Sequence, residues 1–304
     1  MRFDKLDLNL LVALDALISE QSVTNAARRL CLSQPAVTSS LNRLRDYFGD
    51  ELMVLEGRQM RLTHRAEQLA APVRQALELI RSEITQPGKF DPMTSNRRFV
   101  LIASDYVQIV LIADVMTTVA QQAPGVRFDI VNQSSDAQDR FDRAEADFMI
   151  VVKPFALKQH PVIPLFNDQH VLISWKKSHF NDVVTADEFF SAGHTAATFG
   201  RDRQPAVSEL FLERYGHERR IEVRVPSFSA LAQSVVGSNR LATMHRKLAE
   251  HFLPIYPIRM HEVPIPMEPI EELLQWHRLR NQDTGMQWLR EQIIKHSLAK
   301  FGIV

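Results

Sequence analysis

The residues best suited to chemistry in this sequence are the polar side chains between positions 33 and 43. Ser33 is a typical N-cap and Pro35 suits the first turn of a helix, so the segment predicts a helix that Gly49 ends. Apolar side chains recur on one face, and the opposite arc could hydrogen-bond base edges in the major groove of DNA. A plain solvated helix face is the competing interpretation. The candidate DNA-binding residues of this polar arc are Ser33, Gln34, Pro35, Thr38, Ser39, Asn42 and Arg43.

A basic hairpin is predicted directly after this helix. Residues 51–63 contain two short extended runs that turn at Glu56, Gly57 and Arg58. Arg58 and Arg61 then lie at the tip and on the return strand, where a guanidinium group suits a minor groove or the phosphate backbone. Arg28, in the helix before the polar helix, completes the candidate DNA-binding set.

Two further helices must position the polar arc. Residues 7–20 place leucine and isoleucine at a spacing of three and four, and Ser22 or Thr24 can cap a second, shorter helix. A tight turn follows, in which Cys31 is expected to be a small, half-buried side chain. Two helices, a turn, a polar helix and a basic hairpin, in this order, indicate a winged helix-turn-helix domain at residues 1–63.

Composition and charge restrict the class of protein. A chain of 304 residues suits two or three units, and 45% apolar with 24% charged residues is typical of a soluble globular protein. The net charge of zero argues against nonspecific coating of nucleic acid, although residues 21–65 hold seven basic and four acidic side chains. One cysteine excludes a disulfide framework. Without a signal-peptide core or a long apolar run, we expect a cytoplasmic location and no membrane partner.

The N-terminal residues resemble a known family. The segments LDLNLLVALDAL, SVTNAARRLCLSQPAVTSSLNRLRDYFGDELMV and GRQMRLT are similar, in the same order, to the DNA-binding domain of LysR-type transcriptional regulators. LDLNLL with YFGDEL resembles the branch of nodulation (NodD-like) and aromatic-degradation (NahR-like) regulators. The resemblance implies double-stranded promoter DNA as a partner, a homodimer or homotetramer, and RNA polymerase as a further candidate partner. By this resemblance, the residues expected to face DNA are Ser33, Gln34, Pro35, Thr38, Ser39 and Asn42.

A linker helix is expected at residues 64–88. Thr63 can cap it, it should reach about Thr85 with a bend at Pro72, and Gln86, Pro87 and Gly88 make a hinge. Apolar residues alternate at three and four positions, which favours a short coiled-coil seam between two copies of the chain. A helix packed on its own domain is the alternative. The seam residues are Ala66, Leu69, Val73, Ala76 and Ile80.

Strands and helices alternate from residue 98 onward, which indicates an α/β module. The resemblance implies a periplasmic-binding-protein-like effector domain of two subdomains. We expect the first at residues 92–165 and 270–304 and the second at 166–269.

Ligands of such folds bind at the carboxyl ends of strands, in the crevice between subdomains. Polar residues at these strand-to-helix junctions can bind a polar or anionic ligand, although N-capping of the helices is their competing role. Aromatic residues there could form apolar walls, or simply core. The candidate effector-binding residues are Ser104, Asp105, Asn132, Ser134, Phe166, His170, Phe199, Arg201, Phe228 and Met244.

The sequence therefore predicts a DNA-binding transcriptional regulator that responds to a small-molecule effector, aromatic or carboxylated. An architectural DNA-binding protein without a ligand is the alternative, but about two hundred residues of α/β module are excessive for that role. An enzyme is the third class, and no nucleophile elbow, phosphate-binding loop or zinc-protease motif supports it. No catalytic residue, cofactor or metal is expected. His245 and His251 are six positions apart, too far round a helix for a two-histidine metal site.

Overall fold

The computed structural model describes residues 6–57, 59–80, 90–133, 136–200, 203–213 and 219–302. The chain divides into two compact units, Met1–Gly88 and Lys89–Val304. Helices and one hairpin form the first unit, and two mixed sheets flanked by helices form the second. Within the described ranges, no helix combines the length and the apolar character needed to span a membrane.

The first unit contains three helices, a hairpin and a fourth helix. Each helix has a polar N-cap whose side-chain oxygen accepts a backbone N–H: Ser33 and Thr63 as the sequence predicts, Ser22 as one of the two predicted candidates, and Asp7 for the first helix, which was not predicted. The second helix ends at Cys31, which has a left-handed backbone (φ 54°) and is exposed rather than half-buried as expected. The elements are α1 (Leu8–Glu20), α2 (Val23–Leu30), α3 (Gln34–Phe48), β1 (Met53–Glu56), β2 (Gln59–Leu62) and α4 (His64–Leu79).

The hairpin has the geometry of the predicted wing. β1 and β2 pair antiparallel with Glu56 opposite Gln59. Gly57 takes the positive φ of 65° that a tight turn requires and that glycine adopts without strain. Thr63 donates its hydroxyl to the Asp50 carboxyl at 2.6 Å, which fixes the passage from β2 into α4.

Part of the apolar stripe of α4 packs on its own unit, which is the alternative to the expected seam. Ala66 and Val73 are 0% and 5% exposed and lie in the apolar core with residues of α1 and α3, and the half-buried Leu69 packs against the same core. Their spacing of three and four therefore reflects packing on α1. Ala76 and Ile80 are half-buried. The helix runs through Pro72. The expected extension to about Thr85 and the hinge at residues 86–88 lie outside the described residues.

Two sheets form the second unit. The first sheet has the strand order β4–β3–β5–β13–β6; β3 is parallel to β4 and β5, and β13 is antiparallel to β5 and β6. It consists of β3 (Arg98–Ile102), β4 (Arg127–Val131), β5 (Phe148–Val152), β6 (Val162–Asp168) and β13 (Ile270–Trp276).

The second sheet has the order β10–β8–β11–β7–β12, with β9 paired to β8. The strands β10, β8 and β11 run parallel, and β7 runs antiparallel to β11 and β12. The strands are β7 (His170–Trp175), β8 (Gly193–Phe199), β9 (Gln204–Pro205), β10 (Arg220–Val225), β11 (Arg240–His245) and β12 (Ile258–Glu262).

Helices cover these sheets. The first of them begins as α5, continues through a π-helical turn at Gln108–Ile112 and ends as α6. The last helix, α12, packs against β6 and α6. The helices are α5 (Asp105–Val107), α6 (Ala113–Gln122), α7 (Ala137–Asp142), α8 (Ala186–Ser191), α9 (Val207–Glu213), α10 (Ser229–Val235), α11 (Arg246–Phe252) and α12 (Thr284–Phe301).

The α/β class predicted from the alternating pattern is confirmed, and the differences concern particular elements. Both sheets are mixed, whereas the pattern predicts parallel ones. The pattern does not predict β6, β12 and α8. The expected boundary between positions 165 and 166 falls inside β6, because this strand pairs with β13 as far as Asp168.

Candidate DNA-binding surface and effector pocket

The polar arc of α3 is exposed to solvent. The apolar stripe on the opposite face holds the helix to its unit, so the arc is presented outward as the sequence predicts. Ser33 is exposed as well, and its hydroxyl accepts the backbone N–H of Ala36 at 3.4 Å. The buried stripe consists of Val37, Leu41 and Leu44. A shallow depression on the exposed side is lined by Gln34, Pro35, Thr38, Ser39 and Asn42.

Local hydrogen bonds orient the first side chain of this arc. Thr24 of α2 donates its hydroxyl to Oε1 of Gln34 at 3.4 Å. Thr38 donates its hydroxyl to the backbone carbonyl of Gln34 at 3.0 Å. With its side-chain oxygen engaged from α2, Gln34 presents its amide NH₂ as a hydrogen-bond donor.

The candidate arginines that the structure describes all have partners within the chain. Arg58 lies outside the described residues. The other three hold carboxyl or amide oxygens near the protein surface, so each guanidinium group is already oriented. The pairs are Arg28 with Oδ1 of Asn25 at 3.1 Å, Arg43 with Oδ2 of Asp7 at 3.0 Å, and Arg61 with Oε2 of Glu56 at 2.8 Å.

Arg45, which the helical spacing places on the polar arc, connects α3 to the wing instead, a role that sequence reasoning missed. Its Nε donates to the backbone carbonyl of Glu51 at 2.9 Å and its Nη2 to that of Met53 at 3.0 Å. The forked guanidinium suits two carbonyl groups at once. An arginine in the last turn of the polar helix, a few residues before a strand, was the signal available in the sequence.

A pocket of about 260 Å³ lies within the second unit, where strands of both sheets end. Ser104 follows β3, Phe199 ends β8 and Phe228 precedes α10. Aliphatic and aromatic side chains supply most of its wall. The apolar lining consists of Ala137, Met149, Val151, Val152, Phe155, Phe199, Pro205, Ala206, Phe228 and Ile270, and the polar lining of Ser104, Gln133, Gln138, His170, Gln204, Ser208, His245 and Glu272.

Four of the ten predicted effector-binding residues line this pocket, namely Ser104, His170, Phe199 and Phe228. Ser134 and Arg201 lie outside the described residues. The remaining four have other roles: Asp105 accepts the backbone N–H groups of Phe228 and Ser229, Asn132 accepts from Gln108, and Phe166 and Met244 are 1% exposed in the core.

Glu272 and His245 line the pocket but were not among the predicted effector-binding residues, and both matter for the chemistry of the pocket. The rule applied to the sequence selected the carboxyl ends of parallel strands. β13 runs antiparallel to β5, so Glu272, near its start, pairs with Val152 at the end of β5. His245 ends β11 and follows the core residue Met244, so alternation along the strand places it on the opposite face. That alternation was the signal available for it.

The ionisable groups of the pocket are shifted toward their neutral forms. Burial lowers the pKa of His170 to about 4 and lowers the pKa of His245 well below its ordinary value. Burial, and then the negative charge of Asp168, raises the pKa of Glu272 to about 8. At pH 7 the two imidazoles are therefore neutral and the Glu272 carboxyl is mostly protonated.

Two carboxyl groups connect the elements around the pocket. Asp168, at the end of β6, accepts the Tyr106 hydroxyl at 2.6 Å and the backbone N–H of Lys247 at the start of α11. Asp105 at the start of α5 accepts the N–H of Ser229 at the start of α10 at 2.7 Å. Asp168 thus links β6 of the first sheet to α11, and Asp105 links α5 to α10.

Comparison with known proteins places both units. Residues 8–67 match the family model described as "Bacterial regulatory helix-turn-helix protein, lysR family", and residues 94–297 match "LysR substrate binding domain". The chain is 40% identical to Nodulation protein D 1 of Rhizobium tropici over 298 residues, which covers 98% of this chain and 97% of the relative.

Solved structures have the same fold. A protein described as a probable transcriptional regulator from Pseudomonas aeruginosa superimposes with a TM-score of 0.65 at 26% identity, covering 96% of this chain and 98% of that one. A full-length OxyR variant from the same organism has a TM-score of 0.72 at 18% identity, with 95% and 94% covered. The two-part architecture is thus shared over nearly the whole chain.

Proposed function

This chain belongs to the LysR family of bacterial transcriptional regulators, and we propose that it reads promoter DNA with the polar arc and the wing while a small aromatic effector occupies the pocket of the second unit. Family membership establishes a regulator with a helix-turn-helix domain and an effector-binding domain, and not an enzyme. The aromatic class of the effector, the DNA-contacting residues and assembly of two or more copies on DNA belong to the proposal.

The observation that carries the effector class is the lining of the pocket. Aromatic and aliphatic side chains supply most of the wall, with a few polar groups between them, as in sites for small aromatic ligands. No described lining residue is cationic, so a carboxylate would lack an ionic partner among them. The volume of about 260 Å³ suits a ligand of one to three rings. The resemblance to nodulation regulators adds flavonoid-like compounds to the candidates.

A steric test addresses this proposal. The full chain is screened by thermal shift with flavonoids, with phenols and with benzoate and salicylate, because a ligand that binds only the folded state raises the unfolding temperature. Ser104→Phe fills the pocket and should abolish the shift while binding of genomic promoter fragments selected by the wild-type chain is retained. Ser104 also caps the start of α5 by accepting the N–H of Val107, so Gln138→Trp provides a second filled pocket with this cap intact.

Ser191→Phe is the matched control, since it adds the same bulk at an exposed position that does not line the pocket. It should respond to every ligand as the wild type does. A wild-type ligand response that persists in both Ser104→Phe and Gln138→Trp would place the effector elsewhere.

A further inference from the structure

The lining of the pocket includes residues with buried polar atoms that have no partner among the described residues. Nδ1 of His170, Nδ1 of His245 and Oε2 of Glu272 are buried and make no hydrogen bond with any described residue. All three side chains line the pocket and are at most 7% exposed. Leaving such atoms unpaired is costly, and buried polar atoms are paired in the great majority of cases. A bound ligand is therefore the natural source of their partners.

The orientation of these groups is fixed by the surrounding side chains. The ring of His245 stacks on Tyr106 with centroids 3.8 Å apart. The rings of Phe228 and His245 are nearly perpendicular, with centroids 4.5 Å apart. Tyr106 is itself held by its hydrogen bond to Asp168. A ligand that enters the pocket thus meets polar atoms that are already positioned.

His170 offers a hydrogen-bond acceptor. Its ring makes a hydrogen bond with the backbone of Glu268 that favours the protonated ring, as expected when a ring N–H donates to a carbonyl oxygen. Because Nδ1 has no partner, the donor is Nε2. A neutral imidazole has one N–H, so Nδ1 of His170 carries a lone pair and needs a donor.

Glu272 offers a hydrogen-bond donor. Its side chain is buried, the charge of Asp168 of β6 acts on it, its own charge acts on Tyr106 of α5, and His170 of β7 and His245 of β11 line the same pocket. Desolvation, and then the charge of Asp168, raises the pKa of its carboxyl to about 8, so at pH 7 it carries a proton. A protonated carboxyl can donate through its O–H.

We propose that His170 and Glu272, with His245 beside them, form a hydroxyl-binding subsite that selects an uncharged, hydroxylated aromatic effector. A hydroxyl group donates to Nδ1 of His170 and accepts from Glu272. A carboxylate offers no donor and would lie near the charge of Asp168, and an ether offers no donor either. This inference rests on the proposed function, because it assigns a chemical preference to the same pocket.

Three naphthalenes that share one ring system provide the test. Binding of 2-naphthol, 2-methoxynaphthalene and 2-naphthoate to the full chain is measured by calorimetry at pH 7. We expect 2-naphthol to bind on the order of tenfold more tightly than either of the others, which corresponds to one or two net hydrogen bonds.

Two variants of Glu272 distinguish the effect of its hydrogen-bond donor from the effect of its side-chain volume. Glu272→Gln keeps the shape and an N–H donor, and should retain the preference for 2-naphthol. Glu272→Leu removes the donor and should bind the three probes within about threefold of each other. In the wild type the preference should fall as the pH rises through about 8, where Glu272 ionises. In Glu272→Gln it should stay constant over the same pH range.

Each result decides between the subsite and the wider proposal. Equal binding of the three probes by the wild type, or tightest binding of 2-naphthoate, would overturn the hydroxyl subsite and leave an aromatic effector in the pocket. Failure of all three to bind at millimolar concentration would count against the aromatic effector class itself, and the subsite would fall with it. A cooperative unfolding transition of the second unit, measured by calorimetry for both variants, verifies that they are folded.

Discussion

Gln34 is the side chain of the polar arc whose hydrogen-bonding capacity the structure defines best. Thr24 engages its Oε1 from α2, which leaves the amide NH₂ to donate. In the major groove a donor can bind O6 or N7 of guanine, N7 of adenine or O4 of thymine. We therefore expect Gln34 to favour base edges that accept a hydrogen bond.

Gln34→Ala should weaken binding to the selected promoter fragment by about 1–3 kcal/mol and leave binding to random DNA nearly unchanged, because it removes a base contact. Titration of both DNAs under the same ionic conditions measures the difference. Arg61→Ala is the comparison variant and should weaken binding to both DNAs, since a wing arginine contacts the backbone. An equal loss on both DNAs for Gln34→Ala would assign this residue to phosphate instead.

The residues that the sequence predicted correctly and those it missed differ in a physical way. Capping follows from local chemistry, so Ser22, Ser33 and Thr63 could be identified from residue type and spacing alone. Glu272 could not, because its place in the pocket depends on β13 running antiparallel to a strand more than a hundred residues earlier. Strand direction is a long-range property that no local pattern contains.

At the scale of elements, α4 shows how one apolar pattern serves two structures. A stripe repeating at three and four residues predicts either a seam between two copies or a face packed on the same unit. Val73 belongs to the second case, as it lies in the core with α1. Arg74 reinforces the same packing, because its Nε donates to Oδ1 of Asp15 in α1 at 3.1 Å. A seam between two copies through the half-buried Ala76 and Ile80 stays a prediction.

Val73→Asp should lower the stability of the first unit by several kcal/mol, because it buries a carboxylate without a partner. Thermal unfolding followed by circular dichroism measures the loss, and DNA binding should disappear with the fold. Gln75→Asp places the same charge at an exposed position of the same helix and should unfold like the wild type. If Val73→Asp unfolds like the wild type but no longer forms a dimer, Val73 would belong to a seam between two copies.

The whole molecule consists of two compact units with separate cores, and its buried titratable pocket residues all belong to the second one. Glu272 holds a proton in the folded state between about pH 4.5 and 8, where the unfolded chain has released it. Its contribution to stability therefore falls as the pH rises through this window. His170 and His194 have pKa values lowered to about 4, so their contribution rises with pH between about 4 and 6.5.

The free energy of unfolding of the second unit should therefore be highest near pH 6.5. From pH 6.5 to 8 the wild type should lose up to about 1.4 kcal/mol per pH unit relative to Glu272→Gln, whose amide does not titrate. Calorimetric unfolding of the two chains at several pH values measures this difference, which should be confined to the transition of the second unit. Parallel pH profiles of the two chains would mean that Glu272 is ionised in the folded state.

Two arginines of the candidate DNA surface carry their own counterions. Asp7 pairs with Arg43 and Glu56 with Arg61, so a DNA phosphate that binds either arginine competes with a carboxylate. The displaced carboxylate then attracts cations from solution, which offsets part of the counterion release that drives binding to DNA. The salt dependence should thus be shallower than the number of arginines suggests. With the electrostatic attraction reduced in this way, we expect discrimination among DNA sequences to depend chiefly on the uncharged side chains of α3.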